Sequence, residues 1–241
     1  MLHRIGFHQM GVKERKERER RQRSNEILES ARRLFESKGF LNTTLQDVAE
    51  NAEISVGLIY RYFQSKEDIF ASLALKGAKQ FDKLLGHSTR KARQAKLPVR
   101  DVLQEIADEF FDFYSVYGEY FDMLLYSYKG LKEVQIQAST LTRLMSVTLL
   151  SLNKLKNFIM SSEELDVQDE DDALRVVFVL WGVLLGMHKL FDSSGRGHLV
   201  AFSREEFVRK TIDTILVGIA AKDEKEVPST KRLQPSVELN A

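Results

Sequence analysis

The 241-residue chain has no cysteine, which excludes disulfides and thiolate metal sites and fits a reducing, cytoplasmic setting. Prolines number three and glycines thirteen. With so few breakers and long stretches of helical period, the chain is expected to be all-α. The longest unbroken apolar or glycine run, Val176 to Met187, is too short to cross a bilayer and is bounded by Arg175 and His188. It reads as a buried helix, with no membrane partner, and residues 1–10 lack the apolar run of a signal peptide. Neither charge dominates: 36 Lys/Arg stand against 35 Asp/Glu, so composition alone gives no reason to expect nucleic acid. Phosphate-cradling glycine loops, nucleophile elbows and His–carboxylate motifs are also missing. His3, His8, His87, His188 and His198 show no metal-ligand spacing. The expectation is therefore of no enzyme, no cofactor and no metal.

What is present begins with residues 43–66. Thr43 or Thr44 can N-cap a short helix whose Leu45, Val48, Ala49 and Ala52 fall on one face. A tight turn through Glu53-Ile54-Ser55 follows, and Ser55 can cap a second short helix that buries Leu58, Ile59 and Phe63. Val56, Gly57, Tyr60 and Arg61 then face outward, and a small, capped helix of this kind can enter a major groove. Ser65 caps a third, longer helix with Lys66 at its start. Charge follows the same division. Residues 1–66 hold 13 Lys/Arg and 9 Asp/Glu, a net of +4, and the remainder carries a net of −3.

Several spaced elements agree with one family: Gly39-Phe40, Thr43-Thr44, Val48-Ala49, Ile54-Ser55-Val56-Gly57, Tyr60-Arg61-Tyr62-Phe63 and Ser65-Lys66-Glu67-Asp68-Ile69. Over residues 24–72 the chain resembles the DNA-binding domain of TetR-family transcriptional regulators. The family usually has Gly at the inter-helix turn where this chain has Glu53, so a left-handed residue without Gly would be strained by roughly 1 kcal/mol. The resemblance implies a homodimer that binds a palindromic DNA operator and is released, as a repressor, by a small-molecule effector. Thr44, Tyr62 and Lys66 would meet phosphates, and Ser55, Val56, Gly57, Tyr60 and Arg61 base edges. Arg61 is best able to pair with guanine at two points.

Around this unit the chain divides into a charged extension (1–23), the helix-turn-helix domain (24–72), a helical effector and dimerisation domain (73–221) and a disordered tail (222–241). About nine helices are expected. Residues 1–12 lack periodicity and should fray. Residues 13–23 carry seven bases and three acids, either a solvated helix with i,i+4 pairs or an arm that touches DNA. Ser24 to Lys38 forms a supporting helix with Gly39 as its C-cap. From Ser65 to about Arg93, an apolar face of Ile69, Leu73, Gly77, Phe81, Leu84 and Leu85 turns inward. Opposite it, the eight bases between Lys76 and Arg100 form a solvated face or neutralise an acidic ligand such as a CoA thioester.

Residues 110–128 hold nine of the 23 aromatic residues, with Gly118 expected to divide two helices. These rings fill the core or leave tyrosine hydroxyls for a ligand. The candidates for an apolar effector, fatty acyl or aromatic, are Phe110, Tyr114, Tyr117, Phe121 and Tyr126. A helix from about Leu131 to Ile159 ends in an acidic loop, seven carboxylates in ten residues (163–172), without the spacing or glycine of a calcium loop. The next helix, about Asp172 to Phe191, is apolar nearly all round. A last helix begins at a capping box of Ser203 and Glu206 and runs to about Ala221. The resemblance implies that the last two helices pair with their symmetry mates, with Trp181, Gly182, Gly186, Ile212 and Ile215 as interface residues. The alternative is an architectural, partner-recruiting DNA-binding protein with no small-molecule ligand.

Overall fold

The computed structural model describes residues 2–126, 136–192 and 202–220, all helix and connecting turn. In order the helices are α1 (Leu2–Lys38), α2 (Leu45–Asn51), α3 (Val56–Ile59), α4 (Lys66–Ala95), α5 (Val99–Tyr126), α6 (Ala138–Met160), α7 (Glu170–Asp192) and α8 (Arg204–Ala220). Eight helices among the described residues replace the nine expected, because α5 runs through Gly118 unbroken. A Cβ at Gly118 would lie 2.3 Å from the Tyr114 ring, so this glycine admits a ring and does not break the helix. The expected start of α6 at Leu131, the glycine-rich 193–197 and the 222–241 tail lie outside the described residues.

Local chemistry sets the ends of the early helices. The α1 helix stops at Gly39, which takes φ +80° and donates its N–H to the Phe35 carbonyl at 2.9 Å. Thr44 Oγ1 accepts the Asp47 N–H at 3.1 Å while Asp47 accepts the Thr44 N–H at 2.8 Å, a reciprocal capping box for α2. Those bonds and Lys38 hold the Asp47 carboxyl down at about 2. Ser55 and Ser65 cap α3 and α4 by accepting the N–H groups of Leu58 and Asp68. Upstream, α1 continues without a break from Leu2, where fraying was expected.

Packing divides into two hydrophobic clusters. One joins α1, α2, α3 and the first half of α4 through Ile27, Phe35, Val48, Ile59, Ile69 and Phe70. It also takes in Tyr117 and Tyr120 from α5 and Leu144 from α6. Its aromatic spine runs Phe35, Phe40, Phe70, Tyr120, with ring centroids 5.3, 4.7 and 4.7 Å apart. The second cluster lies among α4 to α8, centred on Leu85, Ile106, Phe110, Phe111, Val177 and Ile212. Arg100 grips Asp213 across it, with Nη2 to Oδ2 at 2.8 Å, tying α5 to α8. The chain leaves Leu84 43% exposed, outside the inward stripe assigned to it, because Leu85 takes the core position beside it.

The α7 helix is long and apolar enough to cross a membrane by length and composition. In the fold one side of it is core: Ala173, Val176, Val177, Leu180, Leu184 and Met187 are buried against neighbouring helices. The opposite side is uncovered, so the helix is enclosed on one face and not all round. Phe178, Val179 and Leu190 are each about half exposed.

Candidate nucleic-acid interface and apolar cavity

The second helix of the helix-turn-helix is very short. The α3 helix is a single turn, fixed by the Ser55 cap at its start and by buried Ile59 at its end. Ser55, Gly57, Tyr60 and Arg61 are exposed and Val56 is half-buried, so the predicted base-facing set emerges on one surface. Arg61 and Tyr62 lie in the turn that follows α3, not on the helix itself. The turn before α3 places Glu53 at φ 54°, the left-handed conformation for which glycine is the easier residue.

Two of the expected phosphate contacts have other commitments. Lys66 Nζ donates to the carbonyls of Phe40 at 2.7 Å and Thr43 at 2.8 Å, and sits 4.4 Å from the Phe40 ring centroid. Two of its three protons thus close the α1–α2 connection onto the start of α4. The Thr44 hydroxyl donates to Asp47 Oδ2 at 2.8 Å within the capping box. In the structure these two side chains hold the head together. No local pattern in the chain signals the Lys66 bonds, whose acceptors are backbone carbonyls 23 and 26 residues away. Tyr62 is half-buried and remains beside Arg61 on the outer surface.

Between α4, α5, α6 and α7 lies a cavity of about 90 Å³. Phe110, Tyr114 and Phe121 line it, as expected, with Phe81, Phe113, Leu155 and Trp181 among the other walls. Tyr117 does not. Its ring is packed over Gly77, where a Cβ would come within 2.5 Å, in the other cluster. The side chain of Tyr126 lies outside the described residues. Thr148 and Ser151 bring hydroxyls to the wall, but their protons are used. Thr148 donates to the Leu144 carbonyl at 2.9 Å, and Ser151 lies 3.1 Å from the Val147 carbonyl and 3.2 Å from Asp82. Asp82 in turn pairs with Lys154 at 2.6 Å. Beside the cavity, His188 is buried and packs against Tyr114, ring centroids 4.8 Å apart.

Of the predicted interface residues, Gly182 and Gly186 lie on the uncovered side of α7, where an added Cβ would meet nothing within 4 Å. Trp181 turns to the cavity and stacks on exposed Phe178, ring centroids 6.1 Å apart. Ile215 packs partly on the chain's own core. Ile212 is 1% exposed inside the second cluster, so it is a core residue and not an interface residue.

A capped helix pair with an exposed second helix, set on an all-helical body, defines a helix-turn-helix protein. Residues 27–73 match the family described as "Bacterial regulatory proteins, tetR family". The match covers the helix-turn-helix head, and the likeness to the family is shown for that domain. A similar curated protein is the HTH-type transcriptional regulator HbdR of Aromatoleum sp. (strain CIB), 42% identical over 48 residues. That alignment covers 20% of this chain and 21% of HbdR, so the chain matches about a fifth of that relative's length. The fold is similar to the TetR-family regulator PfmR from Thermus thermophilus at TM-score 0.58 and 21% identity, covering 79% of this chain and 97% of that one. It is likewise similar to the transcriptional regulator FadR from Bacillus subtilis in complex with stearoyl-CoA. There the TM-score is 0.56 at 16% identity, with 80% and 98% of the two chains covered.

Proposed function

We propose that the chain is a DNA-binding transcriptional repressor that acts as a homodimer and leaves a palindromic operator when an apolar effector binds. The observation that carries the DNA reading is the exposed Ser55–Arg61 surface on a capped helix held by a rigid core. Arg61, whose guanidinium has no hydrogen bond or ion pair among the described residues, is the base-reading candidate. Dimerisation is supported by the unpartnered stripe of Phe178, Val179, Gly182, Gly186 and Leu190 on α7, continued by Val217, 69% exposed, on α8. Two heads joined there would have to present their reading helices about 34–36 Å apart to meet one face of DNA.

The effector reading rests on the cavity. Its wall is almost wholly carbon, and the Thr148 and Ser151 oxygens, with their protons committed, can accept a bond but not donate one. An apolar chain or ring carrying at most a hydrogen-bond donor fits that lining. Stearoyl-CoA in the similar FadR structure supports an acyl compound as the first class to try. A ligand favouring a head spacing that does not fit the operator lowers DNA affinity by linkage.

Selection of bound duplexes from a random-sequence pool tests the DNA reading, and an inverted repeat is expected. Thermal-shift titration with fatty acids, acyl-CoAs and aromatic amphiphiles tests the effector. One observation favours a second reading: 90 Å³ is small beside the roughly 300–1,000 Å³ of ordinary ligand sites. If no compound gives saturable stabilisation, the chain is a DNA-binding protein without a small-molecule ligand.

A further inference from the structure

The charged segment of α1 has a side, and that side adjoins the reading turn. Residues 11–23 are all exposed, so burial does not explain their helix or their charge. Lys13, Lys16, Arg20 and Arg23 are spaced by three, four and three residues and therefore share one face. Glu14 falls on the other face, with Arg18 and Arg21, while Glu17 borders the stripe beside Arg20. Glu19 borders the stripe and is taken by Arg15 at 3.5 Å. Lys16, Glu19, Arg20 and Arg23 form one wall of a groove whose other wall is Arg61 and Tyr62, with Arg15 offsetting the Glu19 charge.

A solvated helix with internal pairs accounts for part of this segment. Arg21 pairs with Glu17 at 3.4 Å and Arg23 with Glu26 at 2.7 Å. It does not account for Lys16 and Arg20, whose side chains have no ion pair or hydrogen bond among the described residues. Nor does it account for their convergence on Arg61, a third cation without a partner among those residues. Gathering like charges at one groove is unfavourable unless a polyanion lies along it. The eleven-residue stripe spans about 15 Å of helix, the length of a few backbone phosphates.

We propose that the Lys13–Lys16–Arg20–Arg23 face of α1 is a second DNA contact that takes the phosphate backbone flanking the half-site read by α3. It carries no sequence preference, because an ammonium or guanidinium on phosphate fixes position and not base identity. This rests on the DNA-binding reading above.

The test uses the full-length chain, the selected duplex with long flanks, and the same duplex trimmed to the operator. The two variants, K16A/R20A and R18A/R21A, remove equal charge from opposite faces of exposed helix. On the long duplex K16A/R20A should bind more weakly, with a salt slope shallower by about 0.9 for each phosphate it no longer neutralises. For two phosphates, its deficit against wild type should widen about tenfold between 200 and 50 mM salt. R18A/R21A should match wild type there, and all three proteins should match on the trimmed duplex. Equal losses in both variants, or none in K16A/R20A, would overturn the flank contact while the wild-type affinity keeps the DNA reading intact. A wild type that binds neither duplex overturns both.

Discussion

Asp68 Oδ1 accepts the backbone N–H of Gln137 at 3.2 Å, a bond between residues 69 apart in the chain. Oδ2 takes the Gln64 N–H at 3.1 Å, and the Gln137 side chain returns to the Tyr62 carbonyl at 3.4 Å. Asp68 is wholly buried. The start of α6 is thus tied to the turn that carries Arg61 and Tyr62, while further along α6 Thr148, Ser151, Leu152 and Leu155 wall the cavity. Displacement of α6 by a cavity ligand would reach that turn through Gln137 and Asp68.

Asp68→Asn keeps the shape and removes the second acceptor, leaving an NH₂ against an N–H. Loss of a charge-assisted bond in a buried site is expected to cost about 1.5–3 kcal/mol, seen as a melting temperature several degrees lower. Operator affinity should also respond less to the effector. Wild-type melting and wild-type response together would remove Asp68 from the coupling path.

Lys66 and Arg61 should separate by readout. Lys66→Met keeps the stem over Phe40 but loses both carbonyl bonds, at an expected cost of about 1.5–3 kcal/mol of stability and little change in the salt slope of DNA binding. Arg61→Ala should leave stability within about 0.5 kcal/mol and cost about 1–3 kcal/mol of operator binding at one base position. Urea denaturation and filter binding across a salt series give both quantities. A fully stable Lys66→Met whose salt slope falls by about one would return Lys66 to the phosphate.

Glu53 stands at φ 54° with its N–H bonded to the Glu50 carbonyl at 3.1 Å. The left-handed conformation costs a non-glycine residue about 1–2 kcal/mol, and glycine gives back about 0.4–1 through the freer unfolded chain. Glu53→Gly is therefore expected to stabilise the protein by about 0.5–1 kcal/mol. A higher urea midpoint at unchanged m-value is the measurement, and an unchanged or lower midpoint contradicts it.

Glu109 is a carboxyl whose pKa is raised, chiefly by burial and further by the neighbouring Glu105 charge, against the lowering effect of Ser88. Ser88 Oγ lies 3.0 Å from Glu109 and 3.3 Å from Glu105, and one hydroxyl proton cannot serve both. A folded pKa above the unfolded 4.5 means that the folded state holds the proton more tightly. Its contribution to stability is full below the unfolded pKa and is lost as pH rises through the folded one. Glu109→Gln should accordingly melt higher than wild type at about pH 7–8, and the gap should close toward about pH 4. A gap that persists at low pH would trace the effect to packing.

The helix-turn-helix was legible because its signals are local. Thr44, Ser55 and Ser65 announce caps within four residues of the bonds they make, and Gly39 marks its own turn. Other features depend on what lies across the fold. Nothing near Lys66 in the chain shows that its charge will close onto Phe40 and Thr43, and nothing near Tyr117 shows that it will cover Gly77 in place of lining the cavity. Ile212 and Ile215 share an apolar pattern that cannot say which side meets the chain's own core. Gly118 is locally ambiguous, since a helix-interior glycine and a helix break look alike until the Tyr114 ring is placed.

The head's hydrophobic core borrows Tyr117, Tyr120 and Leu144 from the body, and Phe70 rests on Tyr120 with ring centroids 4.7 Å apart. That sharing limits how such regulators can recombine. A graft of residues 24–72 onto a foreign helical body would inherit the whole exposed Ser55–Arg61 surface and arrive with a hole in its floor, unless the recipient offers matching aromatics on its fifth helix. Divergence of the body is constrained likewise: the stretch facing Phe70 must co-evolve with the head, while the cavity wall a few turns away is at liberty to change its shape.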